Sequence, residues 1–210
     1  MSSHLTELGY VRPIPPAIDP NQLKTDLTLL RNKALELGAS DVAEVSGPDV
    51  IFCSAIQEEI ARNADYPSVH WPLDYPKDDM EEAIQVYDKG LLFAVSAAET
   101  LPNYGGGPIL NLQHRNLFLR VYEIVSKLES ISFYMGYHLA MGFAAGNCRS
   151  VFCPDEKRCV PMLKGKACIR PNMGRPSMEA AGMDGRRMAE KAGWMTEPAR
   201  SLLTGLLMVA

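Results

Sequence analysis

Four of the chain's five cysteines fall within 21 residues, at Cys148, Cys153, Cys159 and Cys168, in the pattern C-x4-C-x5-C-x8-C. Three prolines, Pro154, Pro161 and Pro171, interleave with them. Proline removes a backbone donor and breaks helices and central strands, so this segment must be a loop. The loop has few apolar residues from which to build a core. Four thiolates gathered on a metal centre would supply the missing cross-link, because metal binding is folding free energy for such a segment.

The spacing bears on which metal. Structural zinc sites favour paired short C-x2-4-C knuckles, and of the gaps 4, 5 and 8 here only the first approaches one. Iron–sulfur clusters take four thiolates at more varied spacing, with proline after a ligand familiar, as at Cys153-Pro154. The pattern therefore favours a [4Fe–4S] cluster held by Cys148, Cys153, Cys159 and Cys168, with zinc as the alternative. Disulfides are disfavoured if the chain is cytosolic. The fifth cysteine, Cys53, sits among Ile51, Phe52 and Ala55 and reads as a small core residue.

Charge supports a metal without selecting it. From Cys148 to Arg170 there are six basic residues (Arg149, Lys157, Arg158, Lys164, Lys166, Arg170) and two acids (Asp155, Glu156), a net of +4. The whole chain carries −4, so the remainder carries −8. Cations beside thiolates offset their charge and lower their pKa. The loop's basic residues have only one aromatic, Phe152, among them, and the chain as a whole is acidic (pI near 5.6), so no nucleic-acid partner is expected.

Composition sets the outer bounds. In 210 residues, 47% are apolar and 22% charged, which excludes disordered, collagen-like and coiled-coil chains. Residues 1–20 are proline-rich and lack the apolar core of a secretory signal. The most apolar run, Ile131 to Gly146, has sixteen residues, short of the roughly 20 a membrane span needs. The expectation is a cytoplasmic protein with no membrane contact.

Periodicity predicts the elements. A helix starts near Asp19 with Pro20 early in it, carries Leu23, Leu27, Leu30, Ala34 and Leu37 on one face, and stops at Gly38. Strands are predicted at 41–46, 91–96 and 202–209, and short helices at 57–63 and 78–89. The longest helix is expected over about Asn111 to Ala145, carrying His114 and a core-facing His138, and a further helix over Pro176 to Ala192. Met173, Met178, Met183 and Met188 recur every five residues and read as packing residues. The fold class is α/β or α+β: a small mixed sheet with packed helices, one long central helix and an appended cysteine-rich metal loop. The expected organisation is an extended arm over 1–20, a core over 21–147 and a metal-binding segment with a helix and strand over 148–210.

Several motifs resemble a known family. Leu128-Glu129, Phe133, Gly136-Tyr137, Gly142 to Gly146, Asn147-Cys148, the spaced cysteines and the run Arg175-Pro176-Ser177-Met178-Glu179-Ala180-Ala181-Gly182-Met183-Asp184 are similar to the predicted metal-binding proteins of domain of unknown function 2284. The resemblance covers roughly residues 20–210, with its strongest motifs in 128–184. It implies metal binding, as an iron–sulfur cluster, by Cys148, Cys153, Cys159 and Cys168. Family members often carry further cysteines near a Cys-Pro-Pro motif. The matching stretch here is Ser68-Val69-His70-Trp71-Pro72, without cysteine, which leaves His70 or Cys53 as the only candidates for a second site.

Arg175 and Glu179, four apart around an expected helix start, read either as a clamp holding the cysteine loop or as an exposed ion pair. No Ser–His–Asp order, H-E-x-x-H, G-x-G-x-x-G or Walker pattern is present, so no catalytic residue is assigned. Four ligands from one loop leave no open metal position. The functional expectation is single-electron transfer, or an accessory role, with a protein partner such as a redox or assembly enzyme. The alternatives are a zinc-stabilised interaction module, or an enzyme with a pocket near Tyr104–Pro108 and His70.

Overall fold

The computed structural model describes residues 11–62, 80–98, 100–102, 109–156, 159–162, 167–194 and 201–210. Helix α1 (Pro20–Glu36) opens where the sequence places it: the Asp19 carboxylate accepts the Asn21 N–H at 3.0 Å, and Pro20, with no N–H to lose, begins the first turn. Leu23, Leu27, Leu30 and Ala34 form its buried stripe. After Gly38 the chain enters β1 (Asp41–Val45), then α2 (Ser54–Ala61) and α3 (Met80–Gln85), and returns as β2 (Gly90–Ser96). The long helix α4 (Leu112–Tyr134) follows, then β3 (Met141–Phe143), α5 (Cys148–Phe152), α6 (Gly185–Lys191) and β4 (Leu202–Met208).

The four strands form one sheet in the order β1-β2-β4-β3, and every ladder is antiparallel, where a mixed sheet was expected. Between the two classes left open, an antiparallel sheet with helices packed on it is α+β. The last strand is not an appendage of the cysteine segment, because β4 lies between β2 and β3.

Burial on both faces explains why β2 and β4 read as nearly continuous apolar runs, interrupted in β4 at Thr204. Leu91, Phe93 and Val95 of β2, with Leu207 of β4, face a core built with α1 and α4. Leu92, Leu206 and Met208 face a second core with Ile84 of α3 and Met178, Met183 and Met188. Successive side chains point to opposite faces, and both faces are covered. The methionines at 178, 183 and 188 are therefore packing residues, as their spacing suggests.

The long helix departs from expectation at its C-terminus. It stops at Tyr134 and not at Ala145. Gly136 takes φ +94, a left-handed conformation that ends a helix at little cost to glycine. The Tyr137 N–H then returns to the Ser132 carbonyl at 3.0 Å. The run past Ile131 is apolar all round because it contains a helix end followed by the buried strand β3, not a buried helix. His138 and Leu139 fall in the connection and are exposed, so His138 is not a core histidine.

Two shorter elements also move. The helix of the 54–61 region begins at Ser54, not Gln57, and the apolar residues before it make only an isolated bridge, Phe52 to Met183. Pro176 does not start a helix. Pro176 and Met178 bond instead to both sides of Ala144 (Ala144 N–H to Pro176 O and Met178 N–H to Ala144 O, each 2.8 Å), and helix returns only at Gly185. No helix among the described residues is long and apolar enough to cross a membrane.

Candidate metal centre

The site is built on the short helix after β3. Asn147 caps α5 by accepting the Arg149 N–H at 3.0 Å, which places Cys148 at the first helical position. Cys153 caps the other end, its N–H bonded to the Arg149 carbonyl at 2.9 Å. The x4 gap between these two cysteines is thus a turn and a half of helix, roughly 7–8 Å of rise.

The long helix holds α5 in place. Arg115 Nε donates to the Val151 carbonyl at 2.7 Å, and the Tyr122 ring meets Phe152 edge-on at 5.0 Å between centroids. Tyr122 also donates its hydroxyl to the Gly146 carbonyl at 3.0 Å. Gly146 adopts φ +68, and a Cβ there would lie 2.7 Å from the Phe118 ring, so only glycine fits. Arg115, Phe118 and Tyr122 are spaced 3 and 4 apart and so share one helix face. These supports were not foreseen. The only signal was two polar-tipped residues, Arg115 and Tyr122, beside an apolar stripe.

Cys159 immediately precedes the 3-10 turn Val160–Met162. The Cys168 Sγ accepts the Arg170 N–H at 3.3 Å, and a Cβ at Gly174 would come 3.9 Å from that sulfur. Cys148, Cys153, Cys159 and Cys168 all line one cavity, with Phe152, Val160 and Ile169 among its apolar walls and Arg149, Glu156 and Arg170 among its charged ones. None of the four is in a disulfide, and all four are half-buried. Burial pushes the Cys153 thiol above its usual pKa, charge on Cys168 adds to the rise, and Arg170 and Arg149 oppose it. Among the described residues, no three His, Cys, Asp or Glu side chains are already converged as an ion-binding group.

Four sulfur donors without a histidine on the cavity wall are a soft set. They suit zinc or an iron–sulfur centre and not calcium or magnesium. In donor chemistry the residues present fit the metal that the sequence implies. Lys157, Arg158, Lys164 and Lys166, and the alternative site residues His70 and Tyr104–Pro108, lie outside the described residues. Cys53 stands apart from the cavity. It is half-buried at the N-cap of α2, its N–H on the Gly182 carbonyl at 2.8 Å, and so it is a cap residue and not a core one.

Arg175 and Glu179 do not pair with each other. Arg175 Nε contacts Glu129 Oε2 at 2.5 Å, and Glu129 Oε1 accepts the Gly142 N–H at 3.1 Å, so one carboxylate ties α4 to β3 and to the segment after the last cysteine. Glu179 instead accepts the Gly146 N–H at 3.1 Å, two residues before Cys148. Of the two readings, the exposed i,i+4 pair does not form, because residues 176–184 are not helical. Both side chains nevertheless hold segments that flank the cysteines. Burial raises the Glu179 carboxyl above the usual range, against the opposing hydrogen bonds from its own N–H, Gly146 and Ser177.

A family model described as "Predicted metal-binding protein (DUF2284)" matches residues 68–208, about two thirds of the chain and all four clustered cysteines. Neither the curated proteins nor the solved structures yield a match.

Proposed function

The chain belongs to the predicted metal-binding protein family DUF2284, and on that premise we propose that Cys148, Cys153, Cys159 and Cys168 ligate a [4Fe–4S] cluster that exchanges single electrons with a protein partner. The observation that carries this reading is that the four thiols line one cavity. The gaps of 4, 5 and 8 residues, which lack paired zinc knuckles, support the cluster over zinc. When bound, such a cluster supplies a one-electron couple whose potential depends on burial and hydrogen bonding.

The chain's own residues set those conditions. Arg149 and Arg170 offset thiolate charge, and the Arg170 N–H on Cys168 Sγ is a hydrogen bond of the kind that tunes such a centre. Ile169, 52% exposed beside Cys168, offers an apolar contact at the rim for a partner. Four protein ligands leave no open position for substrate, which favours electron transfer, or an accessory role to a redox enzyme, over catalysis at the metal. A thiolate centre of this kind fits the reducing cytoplasm.

Anaerobic purification followed by iron, sulfide and zinc analysis tests the reading. The expected result is brown protein with about one cubane's worth of iron and acid-labile sulfide per chain. Colourless protein with one zinc and no sulfide overturns it.

A further inference from the structure

Away from the thiols, a cleft of about 440 Å³ opens between the start of β4, at Ser201–Thr204, and the segment from Glu179 to Ala189. Its volume lies in the range of small-molecule sites, roughly 300–1,000 Å³. Much of the lining is apolar, with Ile56, Met183, Ala189 and Leu203 contributing. Glu179 supplies a carboxylate. That carboxylate accepts the Gly146 N–H at 3.1 Å. A carboxylate has about four acceptor positions, so it can take further donors.

None of the ion pairs among the described residues includes Glu179. Two nearby cations are engaged elsewhere: Arg186 at the cleft pairs with Glu190 at 3.2 Å, and Lys191 pairs with Asp49 at 2.8 Å. Asp184, also on the lining, caps α6 by accepting the Arg187 N–H at 3.0 Å and adds further negative charge. The cleft therefore joins apolar walls to a carboxylate that pairs with no cation among the described residues. A half-buried carboxylate in that position gains from a partner that supplies the opposite charge.

We propose that this cleft binds a small organic cation, an amine with an apolar body, whose ammonium group is received by Glu179. The apolar body lies along Met183, Ala189 and Leu203, and the ammonium donates to the Glu179 carboxylate. The site does not depend on which metal the cysteines hold.

The test uses the full chain, as purified, with three six-carbon probes: n-hexylammonium, n-hexanol and hexanoate. Calorimetric titration should show saturable binding of hexylammonium, with the alcohol and the acid weaker by about tenfold or more. Hydrogen exchange should fall in the peptides covering 145–146 and 201–204 when hexylammonium binds. The Glu179→Gln variant should keep its far-UV spectrum and lose about tenfold or more in affinity. Equal binding of hexanol, unchanged affinity in the variant, or no saturable binding overturns the proposal. If the variant does not fold, exchange in the unmodified protein decides, and protection confined to other peptides overturns it.

Discussion

Tyr137 donates its phenolic hydrogen to the Asp26 carboxylate at 2.8 Å, joining residues 111 positions apart in the sequence. Asp26 is 1% exposed and also pairs with Arg12 at 2.7 Å and accepts from Gln22 at 3.0 Å. The cluster fastens the N-terminal arm and α1 to the residues just past the end of α4. Burial, then the Asp26 hydrogen bond, pushes the Tyr137 hydroxyl above its usual pKa. A raised folded-state value means that stability is full below the unfolded value, about 10, and is lost as pH rises toward the folded one. Tyr137→Phe should cost about 1–3 kcal/mol at neutral pH and flatten the alkaline loss of stability. Chemical denaturation at neutral and alkaline pH measures both. An unchanged alkaline limb would remove Tyr137 as its source.

The contact between Arg175 and Glu129 should be energetically real, because both side chains are mostly buried, at 16% and 23% exposure. Arg175→Ala should cost about 1.5–3 kcal/mol, the range for hydrogen bonds to charged groups. A double-mutant cycle should find coupling between positions 175 and 129 and almost none between 175 and 179. Coupling of 175 to 179 would mean that the i,i+4 pair forms in solution after all.

Replacing any one of Cys148, Cys153, Cys159 or Cys168 by Ala should release the metal and expose 148–170 to protease, with far-UV helicity largely retained. The helices α1 and α4 pack through a core that contains none of the four sulfurs among its buried residues, whereas the loop depends on its cross-link. Four variants with full metal content and protease-resistant loops would dismiss these residues as ligands.

Cys53→Ser should retain metal and fold, since Cys53 lies off the cysteine cavity and its structural bond is made by its backbone N–H. Metal analysis of the purified variant checks this. Loss of metal would assign a ligand to the first half of the chain.

Glu179 carries the opposite sign from an ordinary paired carboxylate. Burial raises its folded-state pKa, so its contribution to stability is full below the unfolded value, about 4.3, and is lost as pH rises through the folded one. Glu179→Gln, which can still accept the Gly146 N–H, should lose less stability than the parent between pH 4 and pH 7. Thermal unfolding across that interval reads the difference, and parallel curves would count against the raised value.

The sequence was most legible where local rules act alone. Asp19-Pro20 and the stripe from Leu23 to Ala34 specify α1 by capping and periodicity, and the apolar runs of β2 and β4 show as strands. It was less legible where a distant partner decides. The stretch from Met135 to Gly146 is apolar enough to continue a helix, but Gly136, the pull of Asp26 on Tyr137 and the Glu129 bond to the Gly142 N–H redirect it into a strand. The same holds for Arg175, whose partner Glu129 is 46 residues away. The four clustered cysteines stand out by number and spacing, and they line one cavity. The residues that hold α5 against the long helix do not stand out, because Arg115 and Tyr122 look like ordinary surface positions until their targets in 146–152 are known.

The placement of β4 inside the sheet has a bearing on the order in which this protein can assemble. Every cysteine of the cluster emerges from the ribosome before β4 does, while β2 and β3 wait for the strand that must separate them. The span from Ala144 to Ser201 links two strands that the β3–β4 ladder brings together, and closing a long connection carries an entropic cost that grows with its length. On the proposed ligation, a metal tying Cys148 to Cys168 would shorten that connection before the last strand arrives. Loading the site and zipping the sheet would then be linked steps: a nascent chain that captured its metal early would meet a smaller barrier to inserting β4, and a starved one would linger with the edges of β2 and β3 open to other chains.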